Sequence, residues 1–219
     1  MAIFNEDTRK QLTELLGSLK NKVQIAFVGA EKDCPTCRDT YGFMEEFCAL
    51  HDKISMKYYD WQMDTEYISR LRVDKTPAIV LLDENGKDQG VRFYGIPAGY
   101  EIHSLISGVR ETSGIPAEMP DDITERISSI IEPFHIQVFV TPTCSQCPGA
   151  AITAHRLALL NEHISADVIE ANTFSELSEK YDVKSVPNVI INEKPAFWGS
   201  HPVTKFLEAM EQFQTKPLS

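Results

Sequence analysis

The chain has 219 residues, room for one large domain or two of about 110. Its 42% hydrophobic content, with 11 Phe and 7 Tyr, supplies a packed core and excludes a disordered chain, which needs low hydrophobicity and high charge. A net charge of −11 argues against nucleic acid and anionic membrane surfaces as partners, because clustered Lys and Arg are what hold both.

The first segment is charged from Asn5 onward and places Ile3, Leu12, Leu15, Leu16 and Leu19 at helical spacing. It predicts an amphipathic helix over about 5–20 rather than a signal peptide. No run approaches the roughly 18 apolar residues of a membrane span, so a cytoplasmic protein is expected. Residues 23–28, Val-Gln-Ile-Ala-Phe-Val, read as a strand covered on both faces. Cys34-x-x-Cys37 then opens a helix to about Leu50, followed by a strand over 54–59 and a short helical stretch. Pro77 precedes a strand over 78–82, and Asn85-Gly86 turns a hairpin whose return strand ends at Tyr94-Gly95. A helix over about 99–112 closes this half. The turn-rich stretch 112–120 carries the boundary between units 1–115 and 116–219.

The second half repeats the first. A displacement of 110 carries Cys34 onto Cys144, Cys37 onto Cys147 and Pro77 onto Pro187, with 43 positions from first cysteine to proline in each copy. The elements recur in order: a helix over about 121–132, a strand over 136–140, Cys144-x-x-Cys147 opening a helix to about Asn161, and a strand over 166–169. Strand 188–191 follows Pro187, and a hairpin over 192–195 returns to Trp198-Gly199 before a helix over about 202–213. Such matched coincidences mark an internal repeat.

An order of β-α-β, helix, β-hairpin, helix gives a mixed sheet with helices on both faces. The Cys-x-x-Cys opening the first helix, with a lone proline before a strand about 40 residues later, resembles the thioredoxin fold, twice over. Two such units in one chain are similar to the glutaredoxin-like protein disulfide oxidoreductases of thermophiles, and Phe139-Val-Thr-Pro-Thr-Cys-Ser-Gln-Cys-Pro148 is close to their C-terminal active-site stretch. The resemblance implies cis bonds at Thr76-Pro77 and Val186-Pro187. It makes Thr76, Pro77, Val186 and Pro187, with Gly95 and Gly199, the substrate-binding positions. The buried aspartate that thioredoxins carry six residues before the first cysteine is replaced by Val28 and Val138, leaving water or a carboxylate such as Glu31 to move the proton.

Cysteine chemistry supports the same reading. A thiol at a helix N-terminus meets unpaired N–H groups that favour the thiolate, and a partner three residues on shares its face. Cys34 and Cys144 are therefore expected to attack, and Cys37 and Cys147 to resolve. Glu31, Lys32, Asp33 and Arg38 crowd the first pair, whereas no Asp or Glu lies between Glu132 and Glu162 around the second. Cys48, in an apolar run, reads as a buried small hydrophobe, the six histidines as surface or satisfied side chains, and Trp61 and Trp198 as core or groove packing.

The expected activity is exchange of thiols and disulfides with protein substrates, with no bound cofactor or metal. No G-x-G-x-x-G fingerprint is present, so electrons are expected from a separate thioredoxin-reductase-like flavoprotein. A dedicated relay from such a flavoprotein to a peroxiredoxin stays open, since the chemistry is the same and only the partner differs. A Cys₄ zinc site is a lesser alternative, because its pairs usually lie about 15–20 residues apart, whereas 106 separate these.

Overall fold

The computed structural model describes residues 3–213; the outermost residues of the two predicted units fall outside it. Helix α1 (Glu6–Leu16) starts at Asn5, whose side chain accepts from the Thr8 N–H, and buries Leu12 and Leu16. Strand β1 (Val23–Gly29), helix α2 (Cys37–Cys48), strand β2 (Ile54–Asp60), helix α3 (Thr65–Arg70), strands β3 (Ala78–Leu82) and β4 (Asp88–Tyr94) and helix α4 (Ile102–Thr112) follow, with a 3₁₀ turn over Gly99–Glu101. The second copy gives α5 (Asp121–Ser128), β5 (Phe134–Val140), α6 (Cys147–Leu160), β6 (Ile164–Glu170), α7 (Ser175–Lys180), β7 (Asn188–Ile191), β8 (Lys194–Trp198) and α8 (Val203–Phe213).

Each copy is a mixed four-stranded sheet of the same topology. β1 runs parallel to β2 and antiparallel to β3, which pairs antiparallel with β4. β5, β6, β7 and β8 repeat these relations in the order 6-5-7-8. The second hairpin is tighter than expected: Asn192 and Glu193 alone form the turn, both at positive φ (48° and 62°), while Lys194 and Pro195 belong to β8. This is the thioredoxin fold twice.

The two sheets do not stay separate. β4 pairs in parallel with β6, Val91 opposite Ala166 through Tyr94 opposite Ile169, and one eight-stranded sheet results. Two strands that the repeat equates therefore meet opposite environments. β6 is buried along nearly its whole length, whereas β2, at the outer edge, shows mostly half-buried and exposed residues. A large apolar cluster joins α1, α2, α4, α5, α6 and α8 on one side of the sheet, and a smaller one gathers around α3 and α7 on the other.

Seams between strands must satisfy their polar groups, and this one buries charge. Arg92, 2% exposed, donates through Nε and an NH2 group to the Leu71 carbonyl at 3.0 and 2.7 Å and pairs with Asp88. Its other amino group lies 3.9 Å from buried Asp167, which sits 2.6 Å from His135 Nε2. Burial works against the Asp167 charge, but the hydrogen bond from His135, with the Arg92 guanidinium nearby, holds its carboxyl below the ordinary range. On α6, His155 is also buried, edge-on to Phe93 at 4.8 Å, and burial pulls it down to about 4, so it packs in the core as a neutral ring rather than as the surface or satisfied side chain expected.

A buried charge stripped of its partner is costly. Arg92→Ala leaves Asp88 and the Leu71 carbonyl without their buried donor and Asp167 with His135 alone, and we expect a loss of about 3–5 kcal/mol in urea unfolding. Asp88→Ala, which removes a half-buried carboxylate from the rim of the seam, is expected to cost less.

Candidate active site

Both cysteine pairs sit at the ends of strands β1 and β5, where the chain turns into a helix. Each forms a disulfide, with Cα atoms 5.4 Å apart in both. The helices start one turn later than expected, at Cys37 and Cys147. Cys34 and Cys144 belong instead to a turn in which the N–H of the second cysteine donates to the carbonyl of the first, at 3.2 and 3.3 Å. Thr36 (φ −96°, ψ −5°) and Gln146 (φ −93°, ψ −16°) hold the third position of a type I turn. Pro35 thus occupies the second turn position, where its fixed φ fits, rather than the first helical one. Neither Thr36 nor Gln146 caps its helix with a side chain; the first-turn N–H groups of Cys37, Cys147 and Gly149 bond to turn carbonyls instead, and Pro148 has none to offer.

Exposure differs within each pair. Cys34 and Cys144 are half-buried, whereas Cys37 is 6% exposed and Cys147 fully buried. The Ala30 N–H donates to the Cys37 sulfur at 3.4 Å. Cys48 packs against the core, and burial pushes its thiol up to about 12.

Both peptide bonds named by the resemblance, Thr76-Pro77 and Val186-Pro187, are cis. In the second copy the Cys144 sulfur lies 3.7 Å from the Val186 carbonyl oxygen, so the redox sulfur and the proline loop form one surface. Pro77 and Pro187 are buried, and Thr76 and Val186 half-buried beside them.

The glycine walls differ. Gly199 is half-buried, and a Cβ there would meet nothing closer than the His201 ring at 3.5 Å. Trp198 beside it is 70% exposed, not part of the core; Trp61 does pack, on the face of α3 and α7. Gly95 is buried under the second copy, where a Cβ would sit 2.7 Å from the Glu170 Cβ and 3.5 Å from the Thr173 hydroxyl. Glu170 is locked there by donors from Asn172 and Thr173. The wall that is open at the second pair is filled at the first, because β6 ends on that spot.

One carboxyl escaped the sequence reading. Glu31 is exposed. Glu101, in the 3₁₀ turn before α4, is 1% exposed, accepts a 2.6 Å bond from the Ser104 hydroxyl through Oε2, and leaves Oε1 without a partner among the described residues. Burial raises it to about 7. Its turn docks on the second active-site loop: the Tyr100 N–H donates to the Pro142 carbonyl at 2.9 Å, two residues before Cys144. The available signal was length, since Ile102 opens its helix seven positions after Gly95 and Val203 only four after Gly199.

No group of three or more His, Cys, Asp and Glu among the described residues could hold a metal, and no helix there is long and apolar enough to cross a membrane.

Reduced protein treated with limiting iodoacetamide is expected to label Cys34 and Cys144 well before Cys37 and Cys147, with Cys48 last because its thiol stays protonated. Peptide mapping against time reads the order.

Comparison with known proteins gives a consistent result. Residues 134–212 match the model of a thioredoxin domain. The structure superposes with a TM-score of 0.89 on the NTD_N/C domain of alkylhydroperoxide reductase AhpF from Enterococcus faecalis, at 28% identity over 94% of this chain and 99% of that one. It superposes at 0.86 on a protein disulfide oxidoreductase from Aeropyrum pernix, at 29% identity over 93% and 90%. By sequence it is 25% identical over 87% of its length to the AhpF component of the alkyl hydroperoxide reductase of Staphylococcus aureus, and 23% identical over 95% to an NADH dehydrogenase of Bacillus subtilis. The chain spans 34% and 38% of those two relatives, little more than a third. With two copies of one fold, two Cys-x-x-Cys disulfides and two cis prolines, the chain is a disulfide oxidoreductase of the thioredoxin superfamily.

Proposed function

We propose that the chain exchanges thiols and disulfides with protein substrates, and that the Cys144 site faces them. The observation that carries this reading is the uncovered Gly199 at the second pair, where a half-buried sulfur lies 3.7 Å from the Val186 carbonyl, while the matching wall at Gly95 is filled by Glu170. Units divided at about residue 115 fit this division, each bringing its own pair.

The chemistry balances within the site. The Cys144 thiolate attacks one sulfur of a substrate disulfide; that bond breaks and the other substrate sulfur leaves as thiolate. Cys147 then attacks the Cys144 sulfur, releasing the second substrate thiol and closing the Cys144–Cys147 disulfide. Two electrons pass to the substrate, and a thioredoxin-reductase-like flavoprotein restores the dithiol. Buried Cys147 must lose its proton first. Glu101, near neutrality and with a free oxygen, is the acceptor, a task its turn can serve because it docks on α6 and the Cys144 loop. Cys34 and Cys37 take the same roles in the first unit, with Thr76, Pro77, Val186 and Pro187 lining the two sites. Zinc is not proposed: the two pairs are far apart in sequence and each closes its own disulfide.

A second reading is a relay from a flavoprotein to a peroxiredoxin. The TM-score of 0.89 to the AhpF domain and the longer curated relatives favour it. Insulin reduction and NADH-coupled reduction of a peroxiredoxin, run with each pair changed to Ser, separate the two. Loss of insulin reduction in Cys144→Ser/Cys147→Ser, exceeding the loss in Cys34→Ser/Cys37→Ser, supports the proposal. Activity confined to the peroxiredoxin assay supports the relay, and a larger loss on removing the first pair reverses the division of labour.

Glu101 gives a pH test. In single turnover, release of substrate from the Cys144 mixed disulfide should rise through about pH 7 in wild type. Glu101→Gln should flatten that rise and slow the step by about 10²-fold at pH 8. Stability moves the other way. The native carboxyl, raised from 4.5 to about 7, binds its proton more tightly than the unfolded one, so its effect on stability is fully present below pH 4.5 and lost as pH rises through 7. Glu101→Gln removes the cost of the buried charge and is expected to stabilise by up to about 3 kcal/mol at pH 8, with little change at pH 4.

A further inference from the structure

Seven positions separate Gly95 from α4 and only four separate Gly199 from α8, so the first copy carries a longer crossing than its repeat. That longer crossing is spent on the other copy's site. Ile96 and Ala98 anchor it on the large apolar cluster. Gly99, at φ +61°, lets the backbone come so close that a Cβ would lie 2.2 Å from the Pro142 carbonyl oxygen, and the next N–H, of Tyr100, donates to that oxygen. Tyr100 is thereby fixed by its backbone while its side chain stays 48% exposed. An exposed aromatic on a rigid backbone costs little entropy to dock against, which suits it to a contact surface.

The geometry runs as a chain. Tyr100 touches Pro142, two residues before Cys144; Cys144 faces Val186; and Asn188, just past Pro187, is the ladder partner of Trp198. These contacts tie the Cys144 turn and its proline loop to two exposed aromatic residues, one from each copy. The exposed residues around it, Thr143, Ser145, Gln146, Gly149, Ser200 and Pro202, include no Asp, Glu, Lys or Arg, in a chain whose net charge is −11, and His201 is the ionisable side chain beside them. The first pair has Glu31, Lys32, Asp33 and Arg38 exposed around it instead.

We propose that Tyr100, carried by the first unit, is a specificity-determining residue of the second unit's active site. With Trp198 it grips an extended, uncharged segment of a partner protein that has apolar side chains on both sides of its disulfide cysteine. The first unit thus helps choose the substrate of the second. This rests on the protein-disulfide reading above and goes beyond it, since it names the segment and places one of its contacts on the other copy.

The test uses the full chain with Cys34 and Cys37 changed to Ser, so that only the second pair reports. Two peptide disulfides are compared, one with Leu and Phe flanking the cysteine and one with Ser at both places. The parent is expected to favour the apolar peptide in kcat/KM, and Tyr100→Ala to cut that preference about fivefold, the scale of one aromatic contact. Tyr100→Phe should keep it, because the ring face and not the hydroxyl is used. Dithionitrobenzoate reduction by the parent shows whether the second pair is redox-competent. If the parent reduces that reagent but neither peptide nor insulin, the protein-disulfide reading itself fails. If it reduces the peptides but shows no apolar preference, or Tyr100→Ala leaves the preference within twofold, the role of Tyr100 is overturned while that reading stands.

Discussion

The pairing of β4 with β6 is the constraint on which the rest of the molecule depends. Each copy alone would end in an exposed strand edge, with a row of unpaired N–H and C=O groups. Joining the two edges in register satisfies those groups and makes one sheet from two. It also brings α4 against α6 and buries Arg92 and Asp167 at the seam, where each charge answers the other. The outer edges stay apart by chemistry: β8 carries Pro195, which cannot donate, and β2 carries Lys57 where the seam strand carries Asp167.

From that seam comes the inequality of the two sites. Their cysteine turns are nearly alike in backbone angles and in the turn hydrogen bond, 3.2 against 3.3 Å. The surroundings are not. β6 ends on Gly95 and closes one wall of the first site, while Gly199 at the far end of the sheet has no strand beyond β8 to cover it. A duplicated unit fused side by side cannot keep both grooves equal, because fusion uses one copy's proline-side edge and the other copy's strand-two edge.

The same fusion lets one unit lend groups to the other. A thioredoxin-like strand that has Val138 where a carboxylate would serve the resolving thiol needs a proton acceptor from elsewhere. The crossing after Gly95, tied to the second active-site loop by the Tyr100 N–H, carries Glu101 buried and Tyr100 exposed. Neither residue has a counterpart in the second copy, whose crossing to α8 is shorter by three positions. The two pairs thus share a reaction but not a microenvironment.

Much was legible in the sequence because the signals were local or repeated. The cysteine spacing, the lone prolines, the Asn-Gly turn and the doubled 43-residue interval depend on short-range backbone chemistry, and they placed both copies, every strand and the disulfides. Helix starts moved by one turn because a Cys-Pro-Thr-Cys turn and a first helical turn look alike in residues and differ only in φ and ψ. What the sequence could not carry was which edges meet. The pairing of Arg92 with Asp167 has no local signal, Gly95 and Gly199 looked equivalent, and Trp198 read as core or groove packing, since each depends on partners some 75 residues away or on which strand lies alongside. Local periodicity determines the elements; only the three-dimensional join determined which of two nearly identical cysteine turns has an uncovered glycine beside it.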